Sequence, residues 1–180
     1  MKVKVLLILL LTVQAVISQK YFTRTGITNF KASTATFEPV EALNNSSTSI
    51  VTNDGKIAAQ VFINAFKFKV ALMQEHFNEN YMESDSYPKA TFKGNIVDFD
   101  FNNLKDTNDF KLQGVLNIRG KDKSIDTTAK ITKLSDDSFR LIASFDVTPQ
   151  DFNIKIPSIV RKKIAKSIII DIDYEFKEKK

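Results

Sequence analysis

Apolar side chains in this chain recur at every second residue, and that period decides what it can fold into. Phe139, Leu141, Ala143, Phe145 and Val147 share one parity, while Arg140, Ile142, Ser144, Asp146 and Thr148 hold the other. A strand points successive side chains to opposite faces, so such a segment buries one face and wets the other. Phe110, Leu112, Gly114, Leu116 and Ile118 follow the same rule against Lys111, Gln113, Asn117 and Arg119. So do Ile170, Ile172, Tyr174 and Phe176 against Asp171, Asp173 and Glu175, and Phe92, Gly94 and Ile96 against Thr91, Lys93 and Asn95. Ile125, Thr127, Ala129 and Ile131 give a weaker version. Ile57, Ala59, Val61, Ile63 and Ala65 form one more face, but Phe62, Phe66 and Phe68 load the opposite parity, as expected of a strand buried on both sides or running into a covering element.

Short polar connections separate these runs. Asn53-Asp54-Gly55 has the Asp-Gly chemistry that accepts positive φ in a hairpin, and Arg119-Gly120-Lys121-Asp122-Lys123 and Ser135-Asp136-Asp137-Ser138 are polar turns. Strands joined this closely are antiparallel. With further pieces around residues 21–25, 27–32 and 46–53, about eight or nine strands are expected, in a sheet that removes its edges by closing into a barrel.

Two segments break the period. Val70, Met73, Phe77 and Tyr81 fall at helical spacing, which predicts a helix over about 70–82 that ends before Tyr87-Pro88. A shorter helical segment is expected over about 157–166, where Pro157 stands at the first turn and basic residues follow. Both read as lids or plugs on the sheet.

The amino terminus has the three parts of a secretory signal: Lys2 and Lys4, the apolar run from Val5 through Ile17, and small Ser18 before Gln19. Its apolar stretch is short of the roughly 20 residues that span a bilayer. Cleavage near Ser18/Gln19 is therefore expected, leaving one domain over 19–180 in the periplasm or secreted. Loss of Lys2 and Lys4 leaves 24 basic against 21 acidic residues. That scattered excess lacks the dense basic stripe of a nucleic-acid binder.

The inventory offers little for catalysis. Without Cys there is no disulfide, thiolate metal site or cysteine nucleophile, and one His cannot supply two imidazoles. His76 has no G-x-S-x-G elbow to serve, and Glu75 and Glu79 lie one residue before and three after it on the proposed helix, so Glu75 points elsewhere. Neither a cofactor nor a metal is expected. Asn44-Asn45-Ser46-Ser47 holds overlapping N-x-S sequons.

The 15 Phe residues leave two readings open. Eight strands enclose just enough room for side chains or for one small ligand, so the rings either fill the barrel or line an apolar chamber. Strands of about ten residues rise roughly 33 Å, long enough to shelter an extended lipid tail.

The stretch from Leu72 to Gly94, with Phe77, Tyr81, the acidic Glu83-Ser84-Asp85, Tyr87-Pro88 and Thr91-Phe92, resembles the central motif of the YceI-like family. Leu112-x-Gly114-x-Leu116-x-Ile118-x-Gly120 is similar to that family's Gly-x-Leu-x-Ile-x-Gly hairpin, and Asp151-Phe152-Asn153-Ile154 to its Asp-Phe-x-Ile element. The chain departs from the commoner pattern in placing Met73-Gln74-Glu75-His76-Phe77 where an Arg-Asp-x-His-Leu type start is usual. The resemblance covers essentially all of 19–180 and implies an all-β, extended, lipocalin-like antiparallel eight-stranded barrel that holds a polyisoprenoid or similar amphiphile, without catalysis. Phe92, Phe110, Leu112, Leu116, Phe139, Leu141, Phe145, Ile172 and Tyr174 are the expected lining, with Val70, Met73, Phe77 and Tyr81 of the helix at one end. The expected partner is a lipid, the protein is not expected to be integral to a membrane, and a homodimer stays open. The alternatives are a small outer-membrane barrel, which would be apolar outside and polar within, and a barrel packed solid.

Overall fold

The computed structural model describes residues 19–33 and 39–179. The expected signal segment, residues 1–18, lies outside them. Nine antiparallel strands make one sheet: β1 (Lys20–Ser33), β2 (Glu41–Thr52), β3 (Lys56–Phe62), β4 (Lys67–Phe68), β5 (Lys89–Ile96), β6 (Thr107–Ile118), β7 (Lys121–Ser135), β8 (Ser138–Val147) and β9 (Ile164–Glu178). Their order is β1-β9-β8-β7-β6-β5-β3-β2-β4, and β1 also pairs with β2, so the sheet closes on itself. Both β3 and the two-residue β4 lie along β2, at Thr48–Val51 and at Ala42–Leu43 respectively, so they share one position and the barrel has eight.

The alternating faces sort as a barrel requires. Phe139, Leu141 and Ala143 of β8 and Ile172, Tyr174 and Phe176 of β9 are buried, while Arg140, Ile142 and Ser144 face out. Outside, Arg140 grips Asp173 through Nε at 2.6 Å, and Lys31 meets Asp171 at 2.8 Å, holding that carboxyl below its usual range together with the hydroxyl of Ser144. Exposed pairs of this kind add little stability; their weight here is in keeping the outer surface wet. Arg119 and Gly120 both take positive φ, the geometry of the tightest hairpin turn between β6 and β7.

The pieces expected around 21–25 and 27–32 are one strand, β1, interrupted by irregular register between Thr23 and Thr28. The doubly apolar stretch after Ile57 runs as a strand only to Phe62; a 3₁₀ turn at Ile63–Ala65 then swings Phe66 inward. Asn44 mends the break, donating to the Phe62 carbonyl at 3.1 Å while accepting from the Ser46 amide at 2.8 Å. The expected helix begins as α1 (Ala71–His76) and widens into a π turn at Phe77–Tyr81, where the Met82 amide reaches back to the Phe77 carbonyl. No helix forms over 157–166. Successive turns run through Ser158–Lys163, and β9 already starts at Ile164, where strand pairing with β1 draws the chain out. Among the described residues no helix is long and apolar enough to cross a membrane.

One end of the barrel is closed. The β5–β6 connection folds Phe99, Phe101 and Leu104 over it, and the two Phe rings join Tyr21, Phe139 and Phe176 in a continuous aromatic stack. Tyr21 to Phe101 is 4.6 Å between centroids and Phe139 to Phe176 is 4.9 Å.

The Tyr21 hydroxyl has no hydrogen-bond partner among the described residues, and burial, with Glu178, Asp100 and Asp137 nearby, pushes its phenol up to about 12. The folded chain then holds this proton more tightly than the unfolded chain, whose phenol ionises near pH 10. Stability from this group is intact below about pH 10 and is lost as pH climbs toward about 12. Tyr21→Phe is therefore expected to match or slightly exceed the parent in denaturant midpoint at about pH 7 and to lose less by about pH 11. An equal loss in both proteins would refute the assignment.

Candidate functional site: a cavity open at one end of the barrel

The opposite end is hollow. A cavity of ≈ 440 Å³ lies between the inner wall and the segments that cover this end, α1 with its π turn on one side and residues 148–163 on the other. Its wall is apolar almost throughout. Ala90 and Phe92 of β5, Leu116 and Ile118 of β6, Ile125 of β7, Phe145 and Val147 of β8 and Ile168 and Ile170 of β9 supply most of it.

The helix is fastened to the barrel by Phe77. Its ring lies 5.4 Å from Phe30, 5.7 Å from Phe66 and 5.0 Å from Phe68, measured between centroids. Four rings thus form a collar on the side of the opening where β3 gives way to β4. Val70, Met73, Phe77 and Tyr81, the helical stripe read from the sequence, all face the cavity, as do exposed Leu72 and His76. A second fastening is polar. Arg119 pairs with Glu83, donates to the Asn153 carbonyl at 3.3 Å and stands 5.8 Å over the Tyr87 ring, so one guanidinium ties the helix exit, the β6–β7 turn and the β8–β9 connection together.

The inner boundary of the cavity is set by two glycines and one ring. Gly94 and Gly114 face each other across β5 and β6, and a Cβ on either would come within 2.7 or 2.5 Å of the Phe92 ring tip and closer still to backbone oxygens. Only hydrogen at both positions lets Phe92 lie against the wall. That ring packs against both the aromatic stack and the hollow half, and so forms part of the boundary between them.

A small polar layer lies at the same depth. Thr28 and Tyr174 line the cavity floor, with Thr28 Oγ1 2.9 Å from the Tyr174 hydroxyl and 2.8 Å from Ser47 Oγ. Burial raises the Tyr174 phenol, while its hydrogen bonds to Thr28 and Ser47 pull the other way. The hydroxyls satisfy one another, so the floor can face an apolar chain without an orphaned donor. Among the described residues no cluster of three His, Asp or Glu side chains could hold a metal ion.

Of the nine expected barrel positions, Phe92, Leu112, Leu116, Phe145, Ile172 and Tyr174 line the cavity. Phe110, Phe139 and Leu141 do not. They point inward as the alternation requires, but at the heights occupied by the aromatic stack, where Phe99 lies 5.9 Å from Phe110 and 5.3 Å from Phe139. Sequence reading missed Ile63, Phe66, Phe152, Ile154, Val160 and Ile164. Phe66 carried a signal in the doubly loaded stretch; Ile154 and Val160 lie in the aperiodic segment after Phe152, and Ile164 begins β9.

No curated protein sequence matches the chain. Solved structures resemble it in fold. A polyisoprenoid binding domain from Saccharophagus degradans, implicated in plant cell wall breakdown, shares 14% identity over 90% of this chain and 99% of that one, with a TM-score of 0.77. BcnA of Burkholderia cenocepacia shares 13% over 83% and 95%, with a TM-score of 0.68, and the Campylobacter jejuni YCEI protein 16% over 82% and 90%, with a TM-score of 0.64. The YceI-like domain model matches residues 12–176. Nearly the whole chain is covered by that match, and the protein belongs to the YceI-like family.

Proposed function

We propose that this protein holds the tail of a long-chain amphiphile inside the open half of its barrel, as a carrier or store and without catalysis. The observation that carries the reading is the cavity itself: about 440 Å³, apolar on nearly every side and open at one end. The polyisoprenoid binding described for the Saccharophagus degradans relative supports it. Cleavage near Ser18/Gln19 would release the domain to the periplasm or the medium, where such a tail needs shelter from water. The arrangement is opposite to that of an outer-membrane barrel, since polar residues such as Arg140 and Asp173 stand outside and the apolar residues within. The open half also sets it apart from a barrel packed solid.

The volume sets a length. A methylene takes about the space of a water molecule, about 30 Å³, so the cavity has room for at least roughly fifteen such groups. At about 0.8 kcal/mol per buried methylene, a tail of about fifteen gains roughly 12 kcal/mol, of which association removes at least about 4, leaving affinities of micromolar order or weaker. A longer chain would extend through the open mouth. The expected ligand is therefore an isoprenoid of farnesyl size or longer, or a fatty acyl chain of at least about palmitate length.

Native mass spectrometry of the protein from the secreted fraction is expected to show an adduct of that size. Among myristic, palmitic and stearic acids, farnesol and a long polyprenol, myristic acid is expected to bind weaker than the longer acids, since it buries the fewest methylenes. Recovery of only the bare protein, with no uptake of any of these, would overturn the proposal.

Two substitutions separate the halves. Leu116→Trp places an indole in free space and is expected to reduce uptake about tenfold or more with little loss of stability. Phe139→Leu, in the packed half, is expected to lower stability by about 1–2 kcal/mol and to leave the order of preferred chain lengths unchanged, as read by denaturant titration and competition binding.

A further inference from the structure

The two most exposed large apolar side chains of the described residues both stand at the cavity mouth. Ile159 is 86% exposed and Leu72 is 57% exposed. Leu72 itself lines the opening, and Ile159 precedes Val160, which does. Neither is needed to cover the core, because Phe77 and Phe152, buried beneath, already do so.

The charge around Ile159 has one sign. From Phe152 to Ile170 the chain carries Lys155, Arg161, Lys162, Lys163 and Lys166 and no acidic residue. All five are exposed, and Lys163 lines the mouth. Lys67 and Lys69 are exposed just before the helix, whose Glu75 and Glu79 make its outer side acidic. The closed end is mixed in sign, with Lys20, Lys56, Lys133 and Lys177 standing beside its acidic residues. Asp98, Asp100, Asp106 and Asp109 crowd the β5–β6 connection and the start of β6 with Lys105 alone among them, and Asp136 and Asp137 form the β7–β8 turn at the same end. Five exposed basic residues with no acid among them draw this turn toward an anionic surface before it touches.

We infer that the turn over residues 155–166 is a docking surface for an anionic phospholipid bilayer. Ile159 enters the boundary between headgroups and acyl chains, and the surrounding Lys and Arg residues meet the lipid phosphates. Docked so, the opening beside Leu72 and Val160 faces the membrane, and a tail passes between bilayer and barrel without crossing water. The passage of lipid rests on the function proposed above, whereas the docking does not.

Flotation with vesicles of phosphatidylcholine alone, and of phosphatidylcholine containing phosphatidylglycerol, tests the inference. The protein is expected to float with the anionic vesicles at low salt, to leave them as salt is raised, and to ignore the neutral ones. Each basic residue near an anionic surface strengthens binding about fivefold, so the double variant Arg161→Glu, Lys162→Glu is expected to weaken it about twenty-five-fold or more. Ile159→Ser is expected to weaken it severalfold at unchanged charge. Palmitate uptake from vesicle-free solution is expected to be the same in parent and variants, since none of the three positions lines the cavity, while transfer of palmitate from vesicles is expected to slow. Absence of binding to anionic vesicles at low salt, equal binding to both vesicle types, or insensitivity to these substitutions would overturn the inference. Failure of every protein to take up palmitate or any of the other chains named above would instead overturn the proposed function and leave the flotation result to decide docking by itself.

Discussion

An eight-stranded barrel has essentially one bore, and everything inside has to be reconciled with it. Where facing walls project phenyl rings the bore is full: Tyr21, Phe139 and Phe176 leave no gap, and Phe99 and Phe101 seal the end. Where the wall carries Ala90, Leu116, Ile125 and Val147, the same bore cannot be spanned and a void remains. Empty apolar volume costs a protein about 24 cal/mol per Å³, which makes so large a void expensive unless something occupies it. The hollow half is thus a sacrifice of packing, and the aromatic half anchors the fold that bears it.

How the two halves meet depends on small residues. Gly94 and Gly114 make room for one ring, and Thr28, Ser47 and Gly26 make room for another, Tyr174, whose ring packs where a Gly26 side chain would sit. Larger residues at these sites would push both rings into the void. The depth of the cavity is therefore written in positions that contribute almost no side chain to it.

The alternation of apolar and polar residues was enough to identify almost every strand, because a closed barrel gives each strand one dry and one wet face. It could not give height. Phe92 and Phe139 have the same inward parity, yet one borders the cavity and the other lies in the stack, since the difference is made by the aperiodic 97–106 connection. The stretch after Pro157 carried a helix-compatible start, but β-branched Ile168, Ile169 and Ile170 extend β9 back to Ile164, and pairing with two neighbouring strands outweighs a short helix. Asn44, the first residue of the overlapping sequons, is buried in the wall because it bonds to the Phe62 carbonyl where β3 breaks, and the sequon itself carries no sign of that partner.

Closure has a further consequence, for the order of events in folding. β1 pairs on one side with β2, nearby in sequence, and on the other with β9, the last strand of the chain, from Tyr21 opposite Glu178 to Ser33 opposite Ile164. Hairpins from β5 to β8 can form as local units, but the final seam must wait for both termini and closes the longest loop the chain can make. Loop entropy of that kind places barrels among the slow folders, in milliseconds to seconds. Until the seam zips, β1 and β9 each present an unpaired edge able to capture a neighbouring chain. The hazard of this architecture is thus greatest before it is complete, when two strands at opposite ends of the sequence are both looking for a partner.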